Sequence, residues 1–332
     1  MNGLNKRYVA GVDGGGTKTA CMIADETGSI LGYAVAEGSN HQISGFPLAI
    51  ENVYLSIRTA CAQADISFSQ LSFIYLGMAG ADSADDFDML NRAFSEKFDS
   101  IPFRVVNDIW IAFACEAEQD WGAVSVCGTG GNLGVKDRNG HMYSVRALRY
   151  MLGNYGGGHH LAEVAMHWAF RCDEHAGPDT RLTQFLPQYC NCADMDELAA
   201  KIYESGYQYY KQYNISKLVF DLAWEGDRVC TDILWRMGTR LGNMLGNLIT
   251  YAGLSREQIP VVLAGSQYSK DEHGLLTIPL ETALKQYVPQ ARIQIVGCPP
   301  VVGAVFRVLE CVGCSPEPRQ RLLIKTQANE KT

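Results

Sequence analysis

Long apolar runs are missing from this sequence. No stretch approaches the roughly 20 residues that a membrane-spanning helix needs, so no membrane span is expected. The opening residues Met1-Asn-Gly-Leu-Asn-Lys-Arg7 offer no apolar leader of secretory type. An excess of positive charge is missing too. The 28 Lys and Arg stand against 36 Asp and Glu, a formal net charge of −8 at pH 7. That balance disfavours non-specific binding to nucleic acid or to anionic lipid. Low-complexity tracts are absent. What remains is an ordinary globular composition of 332 residues, 47% hydrophobic and 19% charged. It has the length and apolar content for about two domains, and a cytoplasmic location is expected. The 11 cysteines then read as reduced thiols packed as small apolar groups. Cys190-x-Cys192 and Cys311-x-x-Cys314 have spacings compatible with zinc or iron–sulfur sites. The pairs are far apart in sequence, and packing is the simpler reading.

The local patterns alternate between strand and helix. Strands are expected at 8–13, 18–24, 30–36, 71–78 and 103–106, with helices at 47–64, 84–97 and 109–118. Leu48, Val53, Leu55 and Ile57 are assigned to the buried side of the first helix. The pattern then restarts, with strands at 122–127 and 133–136 and a largely helical stretch at about 158–253. Strands at 261–264 and 292–296 and a helix from about 302 follow. The tail after Arg319 reads as loose and polar. The class is α/β, divided into residues 1–120 and 121–301, with the helix at about 302–318 completing the first part.

Two well-known phosphate grips are missing. After the strand at 8–13 comes Gly14-Gly-Gly-Thr-Lys-Thr19. Thr17 separates Gly16 from Lys18, so P-loop spacing fails, and Thr19 stands where a dinucleotide fingerprint needs its third glycine. The segment after the loop is strand-like, which makes the loop a hairpin. Glycines 14, 15 and 16 let a backbone approach phosphate closely, and Thr17 and Lys18 add a hydroxyl and a charge. Asp13, at the strand end, is a candidate Mg²⁺ ligand. The plain alternative is a hairpin turn with a surface lysine. Gly128-Thr-Gly-Gly-Asn132 repeats the arrangement at the start of the second half. Between the loops, Asn107-Asp108 ends a strand and opens a helix. A carboxylate there faces the crevice where α/β sheets bind ligands, although Asn or Asp also serves as a helix cap. Phosphoryl transfer needs a group that orients and deprotonates an acceptor hydroxyl, and Asp108 is the best-placed candidate. Val261-Val-Leu-Ala-Gly-Ser266 is a late strand whose Gly-Ser end permits close approach of a nucleoside. The adjacent His159-His160 are weak metal candidates, because neighbours at a helix start point apart.

Taken in order, Gly11-Val-Asp-Gly-Gly-Gly-Thr-Lys-Thr19, Val106-Asn-Asp108, Gly128-Thr-Gly130, Val262-Leu-Ala-Gly-Ser266 and Cys298-Pro-Pro-Val-Val-Gly-Ala304 resemble the BadF/BadG-type ATPase family, which contains the N-acetylglucosamine kinases. The resemblance runs from about residue 8 to about residue 310. It implies an actin-like, ribonuclease H-like fold of duplicated domains with a helical insertion in the second. It implies ATP and Mg²⁺ as cofactors and a small sugar as partner. Gly14, Gly15, Gly16, Thr17, Lys18, Gly128, Thr129 and Gly130 match the phosphate motifs, and Gly265 and Ser266 the adenosine motif. Asp108 matches the catalytic base. Asn40, Asn107, Thr129, Gly153 and Asn154 fall on the sugar side. A homodimer is expected from the family alone. One stretch departs from the pattern. The family's Gly-Asp-Glu-Gly-Ser is here Gly153-Asn-Tyr-Gly-Gly157, and the preceding tryptophan is absent. A neutral Asn bonds hydroxyls less strongly than a carboxylate does, which leaves the acceptor sugar open. Two alternatives follow: a sensor that binds sugar or nucleotide without turnover, and an ATPase activator of an iron–sulfur dehydratase or reductase. Cys127 lies where such activators carry a cysteine motif, but their fuller Asp-x-Cys-Ala-Ala-Gly-Thr-Gly pattern is not present.

Overall fold

The computed structural model describes residues 6–117, 119–148 and 150–331. The chain forms two compact units: residues up to Asp120 with those from Val296 onward, and Trp121–Ile295. In chain order the elements are β1 (Tyr8–Gly14), β2 (Lys18–Asp25), β3 (Ile30–Glu37), α1 (His41–Ser44), α2 (Phe46–Gln63), β4 (Leu71–Met78), α3 (Ala84–Phe98), β5 (Phe103–Asn107) and α4 (Asp108–Glu116). The second unit contains β6 (Gly122–Cys127), β7 (Gly131–Lys136), β8 (Met142–Ser144), α5 (Gly158–Asp173), α6 (Leu182–Tyr189), α7 (Met195–Glu204), α8 (Ile215–Trp224), α9 (Arg228–Tyr251), β9 (Pro260–Ala264), α10 (Ser266–Ser269), α11 (Thr277–Tyr287) and β10 (Arg292–Ile295). Then α12 (Val301–Cys311) and α13 (Pro318–Lys331) return to the first unit.

Each unit is built on a sheet of five strands. The first has the order β3-β2-β1-β4-β5, the second β8-β7-β6-β9-β10. Within each, the first three strands are antiparallel neighbours, and the last two continue parallel to the first. The second sheet therefore repeats the first strand for strand, as the restarting sequence pattern anticipates. The short strand β8 was not anticipated; its three residues are exposed or half-buried, so apolar patterning does not mark it.

In the first unit the central strand β1 is covered on both faces. Helices α2 and α3 contribute Val53, Ile57, Leu90 and Phe94 to one core, and α4 and α12 contribute Ile111, Val302 and Phe306 to the other. Two glycines set how closely α12 approaches. A Cβ on Gly11 would lie 2.7 Å from the Val305 nitrogen, and one on Gly303 would lie 1.8 Å from the Ile111 oxygen.

Several sequence expectations need correction. In α2 the buried stripe is Ala49, Ile50, Val53, Ile57, Ala60 and Cys61. Leu48 and Leu55 lie outside it, 53% and 57% exposed. Towards the end of the helix the stripe narrows to Ala60 and Cys61, where the sheet comes very close: a Cβ on Gly32 would lie 2.1 Å from the Ala60 oxygen. The helix expected at 109–118 begins at Asp108 and ends at Glu116, and residue 118 lies outside the described residues. The tail expected to be loose is the helix α13. Ile324 and Ala328 are buried there, Gln327 Oε1 accepts the Ile30 N–H at 3.1 Å, and Lys325 pairs with Glu116 at 2.7 Å. Its polar sequence hid two apolar anchors placed four residues apart.

Gly303→Ala should lower folding stability in urea unfolding by about 1–3 kcal/mol or more, because α4 and α12 must separate. Leu55→Ala should change it by less than about 0.5 kcal/mol.

Candidate active site

Sheet register gathers the loops of interest in the first unit. Gly14 on β1 pairs with Met78 on β4, and Met78 pairs with Asn107 on β5. The three strands therefore end in a row. Asp13, the segment after Met78 and Asp108 all emerge at that carboxyl edge, where open α/β sheets bind ligands.

The glycine loop joins β1 to β2 as a hairpin, with Gly15 N–H donating to the Lys18 oxygen at 3.0 Å. The Gly15 oxygen accepts the N–H groups of Ser39 at 2.9 Å and Asn40 at 3.2 Å. Gly14 is held to glycine by crowding, since a Cβ there would meet Ser39 Oγ at 2.6 Å and Met78 Sδ at 2.7 Å. Thr19 is fully buried and its hydroxyl donates to the Glu37 oxygen at 2.7 Å. Gly16, Thr17 and Lys18 are exposed at the tip. Asn40 caps α1, its Oδ1 accepting the Gln42 N–H at 3.0 Å.

Asn107 and Asp108 divide two tasks that the sequence left joined. Asn107 is the cap: its Oδ1 accepts the Ile109 N–H at 3.2 Å. Its Nδ2 donates to the Ala81 oxygen at 3.1 Å and to Asp82 Oδ1 at 2.8 Å. Asp108 is the first helical residue, so Asn107 rather than Asp108 holds the cap position. Burial pushes the Asp108 carboxyl up to about 7, assisted by the negative charges of Asp13 and Asp82 and opposed by the N–H groups of Ile109 and Asp108. Burial likewise raises Asp13 to about 6, with Lys18 opposing. Asp82 is raised by burial and by Asp86. Three carboxyl groups thus share one region of the first unit, each held above its usual value, an arrangement short of positive charge. Asp82 was missed from sequence. Its signal was its place just after a buried strand, ahead of the capping box of Ser83 and Asp86.

In the second unit, β6 and β9 end side by side, with Val126 paired to Ala264. This brings together Gly128-Thr-Gly130 and Gly265-Ser266. Gly265 has φ +105°, and a Cβ there would lie 2.6 Å from the Cys127 carbonyl carbon. The first amides of α5 are tied to the loop, Gly158 N–H to the Gly128 oxygen at 2.8 Å and His159 N–H to the Thr129 oxygen at 3.1 Å. A Cβ on Gly128 or Gly130 would meet nothing within 4 Å, and neither glycine has positive φ. The fold does not demand glycine at these two positions; a ligand approaching closely would. Ser266 is exposed.

Gly153 is exposed and Asn154 half-buried, with Asn154 Oδ1 buried and lacking a partner among the described residues. The segment is strapped to the glycine loop, since a Cβ on Gly131 would lie 2.5 Å from the Tyr155 oxygen. Tyr155 lies against His160, ring centroids 4.4 Å apart, and under the Arg240 guanidinium at 4.4 Å. Tyr150 stacks on the same histidine at 5.5 Å. Residue 149, within this stretch, lies outside the described residues. Of the expected residues, the first unit gathers Asp13 to Lys18, Asn40, Asn107 and Asp108. The second gathers Gly128 to Gly130, Gly153, Asn154, Gly265 and Ser266.

Among the described residues no three His, Cys, Asp or Glu converge as metal ligands, and the cysteines are free thiols. Cys190 and Cys192 are buried, as the packing reading expects. No helix of the described residues is long and apolar enough to cross a membrane.

The BadF/BadG/BcrA/BcrD ATPase family model matches residues 10–306. The chain belongs to this family. Among its relatives, the N-acetyl-D-glucosamine kinase of Dictyostelium discoideum is 26% identical over 323 residues, 92% of this chain and 99% of the relative. The N-acetylmuramic acid/N-acetylglucosamine kinase of Clostridium acetobutylicum is 23% identical over 260 residues, 78% of this chain and 85% of the relative. A solved candidate N-acetylglucosamine kinase from Chromobacterium violaceum superposes with a TM-score of 0.68 at 18% identity, covering 92% of this chain and 99% of that one. The fold is thus that of the actin-like ATPases, and the family members this chain resembles include N-acetylglucosamine kinases. Its Cys298-Pro-Pro-Val-Val-Gly-Ala304 motif has a structural basis, because Gly303 seats α12 against α4.

A carboxyl raised in the folded state binds its proton more tightly there than in the unfolded chain. Stability therefore falls as pH rises from about 4 to about 7 on account of Asp108. Asp108→Asn should raise the thermal midpoint at about pH 8 and give little or no gain at about pH 4. Differential scanning fluorimetry at the two pH values checks this.

Proposed function

We propose that the chain is an ATP-dependent kinase that transfers the γ-phosphoryl group to a hydroxyl of an amino sugar such as N-acetylglucosamine or a close relative. The main support is the placement of Asp108: at the carboxyl edge of its sheet, beside the capping residue Asn107, and raised to about 7 by burial and neighbouring carboxylates. A base works best with a proton affinity near the working pH. Asp108 takes the proton of the acceptor hydroxyl as that oxygen bonds to the γ-phosphorus. The bond to the bridging oxygen breaks and ADP leaves.

In this reading Gly14 to Lys18 and Gly128 to Gly130 are the phosphate-binding loops. Gly265 and Ser266 lie along the adenosine, and Asn40, Asn107, Thr129, Gly153 and Asn154 contact the sugar. The raised, charge-poor carboxyl of Asp13 fits a Mg²⁺ site, since this ion takes one or two carboxylates with the rest of its shell from water and phosphate. Bound there, Mg²⁺ would neutralise phosphate charge. The iron–sulfur activator reading finds little support, because Cys127 is fully buried and burial pushes its thiol up to about 12.

Asp108→Asn should retain ATP binding while kcat falls by about a hundredfold to ten-thousandfold. An ADP-release assay over amino sugars, hexoses and small polyols tests the whole proposal. ADP release that no sugar increases would favour a sensor or an ATPase instead.

A further inference from the structure

One buried polar atom beside these residues has no partner. The His41 side chain, at the first position of α1, is only 7% exposed. Its Nε2 lies 3.0 Å from Asp86 Oδ1, whereas its Nδ1 is buried without a hydrogen bond among the described residues. Buried ring nitrogens are seldom left so.

The ring is firmly held. Asp86 Oδ2 accepts the Ser83 hydroxyl at 2.6 Å and the Ser83 N–H at 2.8 Å. Burial pushes the Asp86 carboxyl up, but the hydrogen bonds from Ser83 and His41 outweigh it and keep it below its usual value. An ionised carboxylate only accepts, so Nε2 is the nitrogen that donates to Asp86, and the Nε2–H tautomer of the ring presents a lone pair at Nδ1. Phe46 meets the ring edge-on, with centroids 6.2 Å apart. Gly80 lies so near that a Cβ there would be 3.3 Å from His41 Cε1, the atom next to Nδ1.

The surroundings are those of the candidate site. Asn40 is tied to the glycine hairpin through its N–H. On the other side of His41, Gln42 donates to Asp82 Oδ2 at 3.4 Å, and Asp82 holds Asn107. A lone pair cannot bond an ionised phosphate, which itself only accepts. It can bond a sugar hydroxyl or an amide N–H.

We infer that His41 recognises the acceptor: its Nδ1 accepts a hydrogen bond from one O–H or N–H of the sugar, and Asp86 is the positioning residue that fixes its tautomer and orientation. The inference rests on the kinase reading above and adds a specificity contact to it.

The test is steady-state ADP release by wild type, His41→Gln and Asp86→Asn with N-acetylglucosamine, glucosamine and glucose. The best substrate is then followed by its monodeoxy and deaminated derivatives. Glutamine can keep an N–H towards Asp86 while lacking the Nδ1 acceptor. His41→Gln should raise the KM for sugar about fivefold to hundredfold, with the KM for ATP unchanged, and Asp86→Asn should raise the same constant less. One derivative should cost wild type a similar factor and cost His41→Gln nothing further. An unchanged sugar KM, a rise confined to the ATP KM, or derivatives that penalise both proteins equally would overturn the inference. Should His41→Gln fail to fold by thermal denaturation, the same derivatives compared on wild type and Asp86→Asn decide. If wild type turns over no sugar, the kinase reading itself falls, and this inference falls with it.

Discussion

The central strand of each sheet is the constraint from which the candidate sites follow. In the first unit β1 is packed on both faces and hydrogen-bonded on both edges, so its residues have no freedom of position. The chain can turn back into β2 only through a narrow space, already filled by Ser39 Oγ and Met78 Sδ at 2.6 and 2.7 Å from where a Gly14 side chain would begin. Glycine answers that crowding. The result is a backbone hairpin whose tip, Gly16 to Lys18, is exposed while its base is packed against Ser39 and Met78. In the second unit the same strand order produces the same kind of turn at Gly128 to Gly130, supported from below by the first amides of α5.

Rigid placement has an electrostatic consequence. The ends of β1, β4 and β5 lie in register, so carboxylates at those ends are brought together whether or not they favour one another. Asp13, Asp82 and Asp108 are each pushed above the ordinary carboxylate range, chiefly by burial. Such a cluster lowers stability at neutral pH. Asn107 maintains it: one amide caps α4 and grips Asp82, beside the carboxyl of Asp108.

The side proposed here for the sugar differs in character. Around Asn154 the aromatic Tyr155 is set between His160 and the cationic Arg240. Around His41 a carboxylate is used to orient the ring. Recognition by neutral acceptors on fixed scaffolds relies on geometry more than on charge, since a misplaced neutral hydrogen bond contributes little.

The sequence by itself determined the strand–turn sites, because glycine clusters and carboxylates at the ends of apolar strands leave few conformational choices. It also determined the repeat, since the second half reuses the same order of patterns. Short-range patterns could not reveal contacts between distant segments. Leu48 and Leu55 looked like core and are solvent-facing, because they fall off the helical stripe of Ala49, Ile50, Val53, Ile57, Ala60 and Cys61 that packs on the first unit. The tail after Arg319 looked loose and is helical, since Ile324 and Ala328 find cover on the first unit. Asp82 and the Asp86–His41 pair became visible only when β4 was set beside β5 and α3 beside α1. Hydrogen bonding between residues 45 positions apart is decided by sheet register and helix packing, which tertiary structure alone supplies.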